Sequence, residues 1–340
     1  MMQALMAHMT LYPEAMPGRP LFVVRDGSGQ PLVFVIDAAG RLLLLRAGAW
    51  KAIGLPGPVT RADIRQAVDG TLSVALALVD GTILVATGVA STRTDGWPES
   101  LAPCSGLPAD AQVTRLAFGP LQEGAPPLLL VGATAEGATA TWYGNAATPA
   151  QGLRPLRLPD GACAVGSYRL PGAWTLREGA LRFTSFDTAG WKVDVAYPHL
   201  PAATASVLLA AGSMPNVPDV FAAGASIVVY RGNNPVPQRV ADVAGARLVW
   251  NARSEAGEYL IYADGDDALW LVSRPAGGAW RTPAPLTPQR AVPMLADDGI
   301  LHMATLHGDT LTLSRHDVHG ALLEQTAISL PTNENGAATI

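Results

Sequence analysis

The chain has 340 residues, 49% of them hydrophobic, with 15% charged and a net charge of −5. That is enough apolar material for a large core, and with no Lys/Arg block the electrostatics argue against a nucleic-acid or anionic-membrane partner. No apolar run approaches the roughly 20 residues needed to cross a bilayer, and Gly 35 with Pro 28 suits a chain of tight turns.

Residues 1–18, MMQALMAHMTLYPEAMPG, read as an N-terminal arm. They have no basic n-region and His8 interrupts their apolar stretch, so no signal peptide is expected. The expected location is the cytoplasm, or outside the cell by a non-classical route. Repeat one follows, from about Pro20 to Pro56, as four strands: PLFVVRD, PLVFVID, RLLLLR and WKAIGLP. Asp26–Gly29, Asp37–Gly40 and Ala47–Gly48 supply its turns, since Gly accepts positive φ and Asp bonds its own backbone two residues on. Runs such as LLLL predict strands buried on both faces. Repeat two covers about Ile64–Leu101, and Pro103–Val113 is the loosest stretch. Repeat three, about Thr114–Leu158, carries the insert LQEGAPP. Repeats four to seven cover about Ala162–Tyr197, Ser206–Val243, Arg247–Leu286 and Ala291–Leu330. The last holds its own fourth strand, ALLEQTAISL, so no exchanged-strand latch is required, and 332–340 reads as a flexible tail. Cys104 and Cys163 fall in different repeats, so a disulfide framework is not indicated.

Two independent markers give one period. Gly40, Gly81, Gly137, Gly179, Gly224, Gly265 and Gly308 recur about every 45 residues. Trp50, Trp97, Trp191 and Trp280 are separated by about one, two and two such periods. Strand-rich repeats of this length predict an all-β fold, a seven-bladed β-propeller of four-stranded antiparallel blades forming one domain over 19–331.

The unit "apolar strand, D-x-x-G turn, apolar strand, G-x-W" is best seen in Asp37, Gly40, Leu42, Gly48 and Trp50, and again in Asp264, Leu269, Trp270, Gly278 and Trp280. It resembles the repeats of the seven-bladed bacterial propeller lectins of the PLL type and, more loosely, the tectonin and tachylectin-like propellers. The resemblance implies sugar sites in clefts between blades, with a tryptophan stacked on the sugar's apolar face. It makes Trp50, Trp97, Trp191 and Trp280 candidate ligand-binding residues, alongside the alternative that they pack blade on blade. Repeats three, five and seven lack the terminal Trp. The implied function is non-catalytic carbohydrate recognition, with a protein–protein interaction scaffold as the alternative; the partner is a glycan or a protein.

A further reading is a sialidase-like enzyme. SFDTAGW, with Ser185, Asp187, Gly190 and Trp191, resembles that superfamily's Asp-box turn, which is structural. Arg25, Arg65, Arg115, Arg169 and Arg247 fall on predicted first strands, which line the central channel; converging arginines there suit a carboxylate, with simple solvation as the alternative. No acid/base carboxylate pair accompanies them, so no catalytic residue is assigned. Four of six histidines, His302, His307, His316 and His319, fall in repeat seven. His302, His316 and His319 with Asp317 suit a transition metal by ligand type, although polar turn residues also cluster by chance. Asp264, Asp266 and Asp267 lack the further ligands a hard cation demands. No cofactor and no metal site is assigned.

Overall fold

The computed structural model describes residues 21–67, 69–91, 98–119, 127–156, 162–168, 170–177, 180–187, 190–197, 200–214, 217–232, 234–286, 291–296, 298–331 and 338–339. Their strands form seven antiparallel sheets in chain order, six of four strands and one joined by a fifth. Blade one comprises Leu21–Arg25, Pro31–Ile36, Leu42–Arg46 and Ala49–Ala52; blade two Val59–Gln66, Thr71–Leu78, Ile83–Ala90 and Ala102–Cys104. Blade three has Gln112–Phe118, Leu128–Ala135, Ala138–Asn145 and Arg154–Leu156; blade four has Ala162–Tyr168, Leu170–Arg177, Ala180–Asp187 and Gly190–Tyr197. Blade five has Ser206–Met214, Val217–Ala223, Ile227–Tyr230 and Gln238–Ala241; blade six has Arg247–Ser254, Gly257–Ala263, Leu269–Pro275 and Ala284–Pro285. Blade seven has Val292–Leu295, Leu301–His307, Thr310–His316 and Leu322–Ser329. The helical pieces among the described residues are two 3₁₀ turns, Pro98–Ser100 and Pro149–Gln151, and no helix there is long and apolar enough to cross a membrane.

Side-chain alternation along a strand explains why these sequences are apolar throughout. In blade one, Phe22, Val24, Leu32, Phe34, Ile36, Leu42 and Leu44 face blade two. Their neighbours Leu21, Val23, Val33, Val35, Leu43 and Leu45 face blade seven. A blade stacked on both sides has no solvent face, so the period-two polarity of an open sheet disappears. Seven apolar clusters result, each shared by two adjacent blades. First strands lie beside first strands between blades one and two, two and three, four and five, five and six, and six and seven, and the first strand of blade seven lies beside that of blade one, which closes the ring.

The repeat-spaced glycines occupy one equivalent place. Gly40, Gly81, Gly137, Gly224, Gly265 and Gly308 all lie between the second and third strands of their blades; Gly179 lies outside the described residues, as does most of the insert LQEGAPP. Aspartates build many of the turns. Asp37 Oδ1 accepts the N–H of Ala39 and of Arg41, and Asp26, Asp264 and Asp317 repeat the pattern.

Two places differ from the sequence reading. The stretch from Pro103 is not all loose, since Ala102–Cys104 is the fourth strand of blade two. At the C-terminus, Ala338–Thr339 pair in parallel with Lys51–Ala52 on the outer edge of blade one, where the composition predicts a flexible tail. An edge strand offers unpaired N–H and C=O groups to any extended segment that reaches it, so small, polar side chains give no warning of such pairing. Blade seven keeps its own fourth strand, and the added strand extends blade one. Trp50 makes a second clasp at this junction: its Nε1 donates to the Ser329 carbonyl at 2.9 Å.

Candidate functional site

Two second strands carry an acid among apolar residues: VPDVFAA in blade five and GEYLIYA in blade six. The side chains of Asp219 and Glu258 are 0% and 3% exposed, and a buried carboxylate needs partners. Three arginines supply them. Antiparallel register sets Glu258 between Arg253 on the first strand and Arg274 on the third, so the three side chains leave one face of blade six. Arg231, one residue past the third strand of blade five, reaches Glu258 with both prongs: Nη1 to Oε1 at 2.8 Å and Nη2 to Oε2 at 2.5 Å. Its Nη1 also donates to Asp219 Oδ2 at 2.6 Å. In return, Arg253 Nη2 of blade six donates to Asp219 Oδ2 of blade five. Arg274 Nη2 donates to Glu258 Oε2 at 3.0 Å, Asn251 Nδ2 to Glu258 Oε1 at 3.3 Å, and the Gly232 N–H to Asp219 Oδ1 at 3.1 Å. Each blade thus sends an arginine to the other's carboxylate, and Arg231 does so in the fork geometry suited to guanidinium and carboxylate.

Arg231, Arg253, Glu258 and Arg274 line a cleft of about 390 Å³ completed by Gln238, Ser254, Gly257 and Pro275–Gly277. It opens at the end of blade six that carries the first-to-second and third-to-fourth turns. Trp280 stands beside it, its ring centre 5.4 Å from the Arg274 guanidinium carbon and 6.3 Å from Phe221, which meets it edge-on. Arg231 lies over Phe221 at 5.5 Å. Burial alone would raise the Glu258 carboxyl; the hydrogen bonds and charge of Arg231, with the charges of Arg253 and Arg274, reverse this and hold it below its ordinary 4.5.

The residues singled out from sequence are dispersed. Trp280 adjoins the cleft and packs on the cluster between blades five and six. Trp50 packs between blades one and seven. Trp191 is in the fourth strand of blade four, paired with the third strand that carries Ser185 and Asp187, and Trp97 lies outside the described residues. Among the arginines, Arg65 is buried, its Nε 2.9 Å from Asp63 Oδ2 on the same strand, and Asp63 also takes the Phe118 N–H at 2.6 Å. Arg25 is gripped through its backbone by the Gln66 side chain. Arg115 buries Nη1 without a hydrogen-bond partner. Arg247 sits at the start of its strand and pairs with Asp267 in the turn beyond the second strand, at 2.8 Å. It therefore lies at the opposite end of its blade from the cleft. Arg169 lies outside the described residues. The four described arginines do not form one group: Arg25 and Arg65 lie late on their first strands, Arg115 in the middle of its own and Arg247 at the start of its own.

The histidines also part company. His316, fully buried, has Nδ1 at 3.1 Å from the Gly320 carbonyl and Nε2 at 3.0 Å from Ser314 Oγ. A carbonyl only accepts, so Nδ1 carries the proton. His319 is exposed against Arg281 at 3.2 Å. His302 is buried, and burial, followed by the Arg315 charge, pushes it below its ordinary 6.5. No group of three metal-ligating side chains forms among the described residues. Asp264 is occupied as well: Oδ1 takes two turn N–H groups and Oδ2 takes Trp270 Nε1 at 2.8 Å. A second, smaller cleft of about 160 Å³ on blade three includes Tyr143 and Arg154.

The arginine cleft was not read from the sequence. Its signal was available as the lone acids Asp219 and Glu258 in otherwise apolar strands.

No protein-family model matches the chain, and no curated protein does. Among solved structures it is similar to a puromycin hydrolase, at 12% identity and TM-score 0.53, over 94% of this chain and 55% of that one. It is similar to prolyl endopeptidases at 12% identity and TM-score 0.51, over 97% of this chain and 52% of that one. The chain spans about half the length of both. It is also similar to the BP39L lectin from Burkholderia pseudomallei, at 20% identity and TM-score 0.46, over 93% of this chain and 99% of that one. At such identities the likeness speaks to fold alone, and that fold is the all-β propeller built above.

Proposed function

We propose that this propeller is a non-catalytic recognition module, with a carbohydrate as its ligand and the cleft between blades five and six as its site. The cleft itself carries the reading. Its volume of about 390 Å³ falls in the roughly 300–1,000 Å³ range of small-ligand sites, with a few convergent polar groups in a rigid frame. Guanidinium N–H groups suit sugar hydroxyl oxygens, and Trp280 beside Arg274 offers aromatic surface. The likeness of the repeat unit to propeller lectins supports the same reading. A glycan array on the intact protein tests it, followed by titration of the best binder against Arg274→Ala. Loss of binding with little change in melting supports the site. Unaltered binding to the variant moves the site elsewhere on the ring.

The alternative, a protein–protein scaffold, has its own observation. The outermost strand of blade seven, Leu322–Ser329, is exposed except at Ile328, with Leu322 48% and Leu323 53% exposed. A protein that shows no glycan affinity and captures a partner lost on Leu323→Lys would favour that reading.

A further inference from the structure

The hydrogen-bond inventory of the cleft is lopsided. Asp219 spends both oxygens, Oδ1 on Gly232 and Oδ2 on Arg231 and Arg253. Glu258 does the same, Oε1 on Arg231 and Asn251 and Oε2 on Arg231 and Arg274. A guanidinium has five N–H donors and no acceptor, and three guanidinium groups exceed what two carboxylates absorb. The Nε atoms of Arg231 and Arg253 are buried with no hydrogen-bond partner; Arg253 Nε lies 3.2 Å from Glu258 Oε1 but is misdirected for a bond. Arg274 spends one donor on Glu258 and is 30% exposed at the cleft. The charge is unbalanced too, at three positive groups to two negative. The buried Nε atoms are closed to a ligand, but Arg253 and Arg274 are each 30% exposed, and with the surplus positive charge their exposed prongs suit an acceptor-rich anion such as a free carboxylate.

We propose that the cleft between blades five and six selects a saccharide bearing a carboxylate, a uronic-acid-type sugar, and that Arg253 and Arg274 receive that group. The inference rests on the carbohydrate reading and narrows it. A neutral sugar leaves the spare donors to water, whereas a carboxylate meets two guanidinium groups in a partly dry wall, where charge-assisted bonds are roughly twice as strong as neutral ones. Affinity should fall as salt rises, since one partner of each pair is partly exposed.

The test is calorimetric titration of the intact protein with methyl β-glucuronide and with methyl β-glucoside, which differ only at the carboxylate, each at low and high salt. Sodium sulfate is titrated alongside as a simple anion. The expected result is at least tenfold tighter binding of the glucuronide, narrowing at high salt. Arg274→Gln should reduce that preference about tenfold, and Arg253→Gln should do so independently, guarding against one variant that misfolds. Equal affinity for the two glycosides overturns the inference while leaving the carbohydrate reading standing. Sulfate binding without either glycoside overturns the saccharide part of both readings. No binding of any of the three overturns both.

Discussion

Arg231 of blade five and Glu258 of blade six meet through two parallel hydrogen bonds, 2.8 and 2.5 Å long, across the boundary between their blades. Most of the contact between blades five and six is apolar. The pair adds a directional contact that fixes how blade five sits on blade six, and with it the shape of the cleft.

Removing one side of this pair should be costly. Glu258→Ala strands Arg231, whose side chain is 15% exposed, with Asp219 as its remaining partner. Breaking a buried pair costs about 3–5 kcal/mol, to be seen in denaturant unfolding of the variant. Arg274→Gln should cost under about 1 kcal/mol, because its side chain is 30% exposed and solvent screens it.

Acid should act through Glu258 at low pH. Its folded carboxyl titrates below the ordinary 4.5, so the unfolded chain binds the proton first as pH falls. The stabilisation is complete above about 4.5 and is lost on descending through the folded value. Melting temperature against pH should decline from about 4.5 downward, and this step should be smaller in Glu258→Gln.

A second, separate slope belongs to His302. Burial and then Arg315 lower it from 6.5, opposed by Asp298 and Glu324. The unfolded state again takes the proton first, so stability should begin to fall below about pH 6.5, well above the Glu258 window. His302→Gln should flatten the melting curve just below about pH 6.5 and leave the lower step in place.

The two turn glycines Gly40 and Gly308 make a matched pair of tests. They occupy the same turn of different blades, with φ of +78° and +58°. A Cβ on Gly40 would come within 2.8 Å of Pro58 Cβ, whereas one on Gly308 meets nothing within 4 Å. Gly308→Ala should cost about 1–2 kcal/mol, the left-handed penalty alone. Gly40→Ala should cost clearly more in the same unfolding assay.

The fold was legible because its signals are local and repeated. A turn glycine between second and third strands recurs in every blade with described turn residues, and strands such as LLLL announce burial on both faces. The site was less so, because its contacts cross between blades. Arg231 meets Glu258 only once two stacked sheets are in register, and Arg253 and Arg274 look like ordinary strand-end cations in the sequence. Arg65 and Asp63, two apart on one strand and so on one face, were a pairing that the spacing alone permitted. Trp50 shows the limit of marker residues, since the same repeat-spaced tryptophan that suggests a sugar platform here clasps Ser329 across the ring closure.

The central claim is that the ligand sits between blades five and six. A crystal structure of the protein with the tightest-binding saccharide tests it most directly. The expected result is ligand density in the cleft, with oxygens about 2.7–3.1 Å from the guanidinium nitrogens of Arg253 and Arg274. Ligand seated instead beside Arg25 and Arg65, or in the smaller cleft at Tyr143 and Arg154, with the blade five–six cleft unaltered, would contradict it.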